Sequence, residues 1–307
     1  MKFQLSICFS LVVLMSVQPA SAQTTDKPVR SVTDPGVVTT RQNITPAGVP
    51  MIFTGRVYGA AFGSGGDLWV LNATQVYRVD WRSGNVLERI AHDWQPAPQG
   101  MLTVNGTPYA AAFPRRGKSS LFTVSGGQLR PVAGDLGTFN AGAPGAGGGV
   151  AVMPVTANNS AAVVELASGK VRGMLQTGIA PFGAAVSRDG TVAYVTNWGG
   201  RTPVKGERTA QTGRAKDADA VLVDEIGVTA SGTVTRFDLT AMKATHTISV
   251  GLHPNGMVWD EKAGRLYVAN NNSDSVSVVD TKSNTVLRQI ALKPFAANTP
   301  GIAPTAV

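Results

Sequence analysis

The sequence predicts an all-β protein, a β-propeller of four-stranded antiparallel blades. Three observations carry that expectation: a recurring turn-strand-Asn unit, a register of about 42 residues, and runs of Gly and Ala opening the units. The unit is clearest at Ser187–Asn197, where a polar turn ending in Asp189-Gly190 precedes an apolar strand that stops at Asn197. It returns at Asp260–Asn270 and, more loosely, at Gly65–Asn72.

Each unit holds four apolar segments. The first is small and apolar: Tyr58–Phe62, Tyr109–Phe113 and Phe182–Val186. Gly and Ala suit the crowded axis of a propeller, so Gly59–Phe62, Ala110–Phe113 and Gly183–Val186 are expected as inner strands. The second segment ends at Asn72, Asn197 or Asn270. The third ends near an acid, at Val76–Asp80, Val234–Asp238 and Val276–Asp280. The fourth follows a tight turn, at Val86–Ile90, Val171–Leu175 and Val286–Ile290. Asp238 and Asp280 are 42 residues apart, and Asp80 and Glu165 are 85 apart, two units. Glu165 to Asp238 spans 73, one unit plus an insertion. A β-sandwich accounts poorly for this register.

Five blades are expected, at roughly 44–93, 94–136, 137–178, 179–251 and 252–298. A sixth begins at Ala303–Val307, which echoes Ala180–Ala184 and His253–Met257. Because the chain stops inside that inner strand, it is expected to be a fragment of a longer protein. Residues 23–43 form an N-terminal extension, and residues 44–307 the propeller. The insertion, 199–231, lies between second and third strands, and strand alternation puts it on the same face as His253. Within it, Ala220–Asp224 is the only apolar run and is expected to pack on that face. Lys205–Lys216 is expected to be mobile.

Residues 1–22 read as a signal peptide. Lys2 precedes an apolar stretch, Leu5–Val17, too short to span a bilayer, and Ala20-Ser21-Ala22 is a small-residue cleavage site. A periplasmic or secreted location follows. The one cysteine, Cys8, lies within that segment, so the mature chain of about 285 residues has no disulfide and no Cys-based metal site. Charged residues make up 15%, with 35 Gly and 18 Pro, which suits short strands and many turns. The net charge of +8 is scattered, which disfavours nucleic-acid binding, and no membrane segment is expected after signal cleavage.

The run Tyr194-Val195-Thr196-Asn197 resembles the bacterial exported propellers named for their Tyr-Val-Thr-Asn repeat, whose rings usually have seven blades. Leu266–Asn270 followed by Asp274–Asp280 is the same repeat. Asn197–Pro203, Ala230–Val234, Gly251–Pro254 and Leu292–Phe295 resemble the branch in which a propeller precedes a phosphoesterase domain of the alkaline-phosphatase type. That resemblance implies a scaffold or binding role beside such a domain, whose catalytic residues are absent here.

Searching for chemistry yields little. No Gly-x-Ser-x-Gly elbow, His-Glu-x-x-His motif, Cys cluster or haem-attachment motif occurs. Gly142–Gly149 lacks the Lys and spacing of a phosphate loop and reads as a flexible blade connection. No catalytic residue, metal or cofactor is assigned. His92 and His246 are expected at the surface. His253, before an inner strand, should lie at the channel mouth, either as a ligand contact or acid/base, or as a loop His bonded within its own turn. With it, Asn197, Trp198, Asn270 and Arg201 form the candidate ligand-binding set. The Asn residues, Asn72 included, read more readily as turn caps. Asp80, Asp238 and Asp280 should start turns.

The leading expectation is therefore an exported, non-catalytic binding or scaffold propeller, partnered by a C-terminal phosphoesterase domain or another periplasmic protein. The alternatives are a lactonase-like hydrolase using the channel mouth and a stand-alone interaction propeller.

Overall fold

A computed structural model describes residues 29–30, 51–113, 118–138, 142–214, 218–292 and 303–307. The signal segment 1–22 and most of the extension 23–43 lie outside these residues.

Among the described residues, five four-stranded antiparallel sheets follow one another along the chain. After the short pair β1 (Val29–Arg30) and β2 (Met51–Ile52), the first sheet holds β3 (Val57–Phe62), β4 (Asp67–Asn72), β5 (Gln75–Asp80) and β6 (Asn85–Ala91). The second holds β7 (Gln95–Val104), β8 (Thr107–Phe113), β9 (Ser120–Ser125) and β10 (Gln128–Ala133). The third holds β11 (Gly145–Gly147), β12 (Val150–Val155), β13 (Ser160–Glu165) and β14 (Val171–Gln176). In the fourth, β15 (Ile179–Val186) and β16 (Val192–Gly200) precede a two-stranded hairpin of β17 (Thr209–Gln211) and β18 (Ala220–Leu222). Its outer strands are β19 (Thr233–Asp238) and β20 (Lys243–Ser249). The fifth holds β21 (Pro254–Asp260), β22 (Arg265–Asn270), β23 (Ser275–Asp280) and β24 (Thr285–Ala291). The protein is a β-propeller.

The blades stack face to face, so their middle strands are buried on both sides and read as continuous apolar runs rather than alternations. Every residue of β12 is buried. Ala151 and Met153 join the core shared with the second blade, with Ala111 and Leu121, while Val150 and Val152 join the core shared with the fourth, with Val195 and Phe237. Tyr194 and Leu266 belong to the core between the fourth and fifth blades. Each fully buried Val or Leu contributes about 1.5–3 kcal/mol relative to exposure. The face of the first blade turned away from the second is covered by Met51 and Phe53, with the Phe53 and Tyr77 rings 5.2 Å apart.

The turns obey the sequence pattern. Oδ1 of Asp80 accepts from Arg82 N and Ser83 N, that of Asp238 from Thr240 N and Ala241 N, and that of Asp280 from Lys282 N and Ser283 N. The Ser83 hydroxyl, donating to Asp80 Oδ2 at 2.7 Å, together with these backbone bonds holds the Asp80 carboxyl below the usual carboxylate range, and the backbone bonds do the same for Asp238 and Asp280.

Four expectations need correction. Ala110–Phe113 lies in β8, the second strand of its blade; the inner strand there is β7. Its alanines are small because the blades on either side approach closely: Ala110 and Ala112 pack toward the first blade and Ala111 toward the third. Gly142–Gly149 is no mere connection, since it contains the inner strand β11. A Cβ at Gly145 would lie 2.5 Å from Ala184 O, and one at Gly147 2.0 Å from Ser187 O, so only Gly lets β11 lie against β15. Within Lys205–Lys216, Thr209–Gln211 is a strand, because pairing with Ala220–Leu222 satisfies the backbone of an otherwise polar stretch. Residues 215–217 lie outside the described residues. His92 is half-buried rather than a plain surface residue, since its ring stacks on Trp94 at 3.7 Å. His246 is exposed, as expected.

Glycines also mark the other inner-strand junctions. A Cβ at Gly59 would stand 3.0 Å from Met101 N, and one at Gly183 2.7 Å from Asn255 O. The segment 303–307 continues this series without being a regular strand: Thr305 O accepts from Gly256 N at 3.1 Å and from Gln99 Nε2 at 3.3 Å.

Candidate functional site

The second-to-third connection of the fourth blade carries the hairpin β17–β18 out over the propeller face. Val221 is its anchor: it is buried, and its Cγ1 would meet a Cβ at Gly199 at 2.7 Å. Between hairpin and propeller lies a cleft of about 690 Å³. This volume lies well within the range of small-molecule sites. Its propeller side includes Ile179, Trp198 and His253, and its hairpin side includes Gln211, Thr212 and Asp219.

Trp198 is held from three directions. One face of its ring stacks on Phe182 with centroids 4.2 Å apart, the His253 ring leans on it at 4.7 Å, and its Nε1 donates to Asn255 Oδ1. It therefore ties the fourth blade to the fifth and walls the cleft at the same time. Thr196, two positions earlier, makes a parallel tie by donating to Asn255 O at 2.8 Å.

His253 has φ +53°, in the left-handed region. Its Nδ1 is buried with no hydrogen-bond partner. Burial lowers its pKa below the usual histidine value, with the Asn271 side chain working in the opposite direction, so the ring is neutral at pH 7. Among the described residues, no group of three or more His, Cys, Asp or Glu side chains is arranged to hold a metal ion.

The remaining candidates stand elsewhere. Asn197 is fully buried. Its Oδ1 accepts from Gly178 N at 3.1 Å, and its Nδ2 donates to the Thr233 and Thr235 hydroxyls, both at 3.0 Å. Asn270, also fully buried, donates to the Ser275 and Ser277 hydroxyls at 3.1 and 2.9 Å. Asn72 donates to Thr54 O and accepts from Thr74 N. All three clamp strand ends from inside. Arg201 lies on the exposed side of the insertion in a two-pronged ion pair with Glu207, which holds the Glu207 carboxyl at about 2. Of the five candidates, the fold brings only Trp198 and His253 to the cleft.

Gln211 and Thr212 were not among the candidates. A signal for them exists: Gly206 and Gly213 bracket a Thr-rich stretch a few residues before Ala220–Val223, which is hairpin punctuation.

No protein-family model matches the sequence, and no curated protein matches it either. Among solved structures, a chain titled Kuenenia stuttgartiensis Hydrazine Synthase aligns with a TM-score of 0.60 at 15% identity, over 82% of this chain and 78% of that one. A protein of unknown function from Bacteroides caccae aligns with a TM-score of 0.53 at 12% identity, over 84% and 89%. Both are similar to this chain in fold alone.

Proposed function

We propose that this chain is an exported, non-catalytic binding propeller whose site is the cleft beneath the β17–β18 hairpin. The observation that carries the reading is the cleft itself, roofed by an insertion that the repeat does not require and walled by Trp198 and His253. A neutral imidazole whose buried Nδ1 has no carboxylate partner is a hydrogen-bonding group rather than a poised base. Export rests on the signal-like segment 1–22. The role beside a phosphoesterase-type domain, or another periplasmic protein, rests on the resemblance around Asn197–Pro203 and Ala230–Val234.

Two measurements test the reading. Fractionation of cells expressing the full chain should recover it from the periplasm or medium, shortened at the N-terminus. The purified protein should hydrolyse neither aryl phosphates nor simple lactones above background. Turnover that disappears in His253→Ala would replace the binding reading with the lactonase-like one.

A further inference from the structure

Residues 303–307 repeat, beside the fifth blade, a junction that the chain builds at earlier blades. Ala180-Pro181, His253-Pro254 and Ala303-Pro304 share one backbone frame, with φ +53°, +53° and +49° at the residue before proline. The Ala180 amide donates to Asn159 Oδ1 at 2.8 Å, and the Ala303 amide donates to Asp274 Oδ1 at 2.8 Å. Asn159 and Asp274 each close a short 3-10 turn between the second and third strands of a blade, with φ +48° and +45°. A Cβ at Gly183 would stand 2.7 Å from Asn255 O, two residues after His253, and one at Gly256 would stand 2.8 Å from Thr305 O, two residues after Ala303. The fifth blade thus offers 303–307 the kind of seat that earlier blades offer to the inner strands of their successors.

The segment is held differently from those inner strands. Phe182 and Asn255 are buried, whereas Ala303, Thr305, Ala306 and Val307 are exposed and Pro304 is half-buried. Among the described residues, four hydrogen bonds hold it. They are Ala303 N to Asp274 Oδ1, Asn271 Nδ2 to Ala303 O at 3.2 Å, and Gly256 N and Gln99 Nε2 to Thr305 O. A few exposed hydrogen bonds offset the entropy of ordering five residues only narrowly, and little apolar burial is added, so the docked and released forms lie close in free energy. Thr305 O is shared by Gly256 of the fifth blade and Gln99 of the second, so the docked segment ties together two blades that are not consecutive. Every one of these bonds goes to the main chain of residue 303 or 305. Position 304 needs no donor, which suits proline, a residue without an N–H.

We propose that 303–307 is a detachable latch, and that its seat, made by Gln99, Gly256, Asn271 and Asp274, is a binding site for an extended peptide with proline at its second position. None of these four residues lines the cleft beneath the hairpin, so the inference does not depend on the reading of that cleft.

The test uses the full chain and a form shortened after residue 302. In the full chain, the Ala303 and Gly256 amides should exchange hydrogen at least about tenfold faster than those of β22 and β23, since release of the latch alone exposes them. Asp274→Gly keeps the left-handed backbone and removes the carboxylate, and should speed that exchange about tenfold further, the equivalent of about 1.4 kcal/mol. Asp274→Asn should preserve the wild-type rate, because Asn159 serves Ala180 in the same way. The shortened chain should keep its β circular-dichroism signal and bind a labelled, acetylated peptide of residues 301–307 saturably in fluorescence anisotropy. Gln99→Gly should weaken that binding about tenfold, and a peptide of the same composition in scrambled order should not bind. Exchange at Ala303 and Gly256 as slow as in β22, or a shortened chain that no longer folds, would make 303–307 part of the core and overturn the latch. A folded shortened chain that ignores the peptide, takes the scrambled one equally well, or binds indifferently to Gln99→Gly would overturn the seat.

Discussion

Asn197 Nδ2 donates to the Thr233 hydroxyl at 3.0 Å, at the last residue pair that joins β16 to β19, across the root of a 33-residue insertion. The same amide reaches Thr235, and its carbonyl oxygen accepts from Gly178 N. The hairpin over the cleft thus leaves and re-enters the blade at a pinned point. Asn197→Ala should leave Gly178 N and both hydroxyls short of a buried partner and destabilise the protein by about 2–3 kcal/mol. Urea denaturation measures this. A loss under about 0.5 kcal/mol would mean that the amide does not clamp the blade.

Gly147→Ala should be among the most damaging small substitutions. Its Cβ would stand 2.0 Å from Ser187 O, so β11 and β15 must separate. Overpacking of this kind costs about 1–3 kcal/mol or more. Gly126→Ala is the comparison: φ is +59° but the space is open, and only backbone strain of about 1 kcal/mol is expected. Equal melting temperatures for the two variants would contradict the close approach of the inner strands.

Arg78 Nε lies 2.6 Å from Asp67 Oδ2, and the Asp67 side chain is 6% exposed. Burial works to raise the Asp67 pKa, but the Arg78 bond and backbone N–H groups outweigh it and the net shift is downward. Arg78→Met should raise that pKa and cost about 1–3 kcal/mol at pH 7. The deficit should shrink as pH falls toward 4 and Asp67 is protonated in the variant. A deficit independent of pH would assign the loss to packing on Trp69, over whose ring the guanidinium sits at 5.7 Å.

His92 and His253 both have pKa values lowered from 6.5, chiefly by burial. The unfolded chain therefore binds protons that the folded chain does not. Their contribution to stability is fully present above about pH 6.5 and is lost as pH falls through the lower folded values. Denaturation midpoints should decline between pH 6.5 and 4.5, before the low-pKa carboxyls titrate. The His92→Gln/His253→Ala double variant should show a flatter profile in that window. An unchanged slope would place the acid sensitivity elsewhere.

Much of the architecture is a local property of the chain. Asp-Gly, Ser-Gly and Ser-Asn turns and acids that cap the next turn are short-range devices. The acid-capped turns work through bonds two or three residues long, so their spacing reveals the blades in sequence, whereas the strand-ending Asn residues also bond partners as distant as 38 positions away. Which small residues lie at the axis is different. Ala110–Phe113 and Gly145–Gly147 both read as small, yet one is a second strand pressed between blades and the other an inner strand against its neighbour. Smallness reports a close approach without naming what approaches.

The site divides in the same way. Asn197 and Asn270 are conspicuous in sequence because they bond inside the fourth and fifth blades, and that role turns them away from any ligand. Arg201 stood out as a charge, but Glu207, six residues on, neutralises it. Trp198 and His253 reach the cleft because the fourth and fifth blades stack, and Gln211 and Thr212 reach it because a polar stretch satisfies its backbone against Ala220–Leu222. The sequence by itself determined the blades, their turns and the frame shared by Ala180, His253 and Ala303. Only the tertiary structure decided that the hairpin folds back over that frame to enclose a cavity, because the burial of Val221 and the stack of Phe182, Trp198 and His253 join residues far apart in the chain.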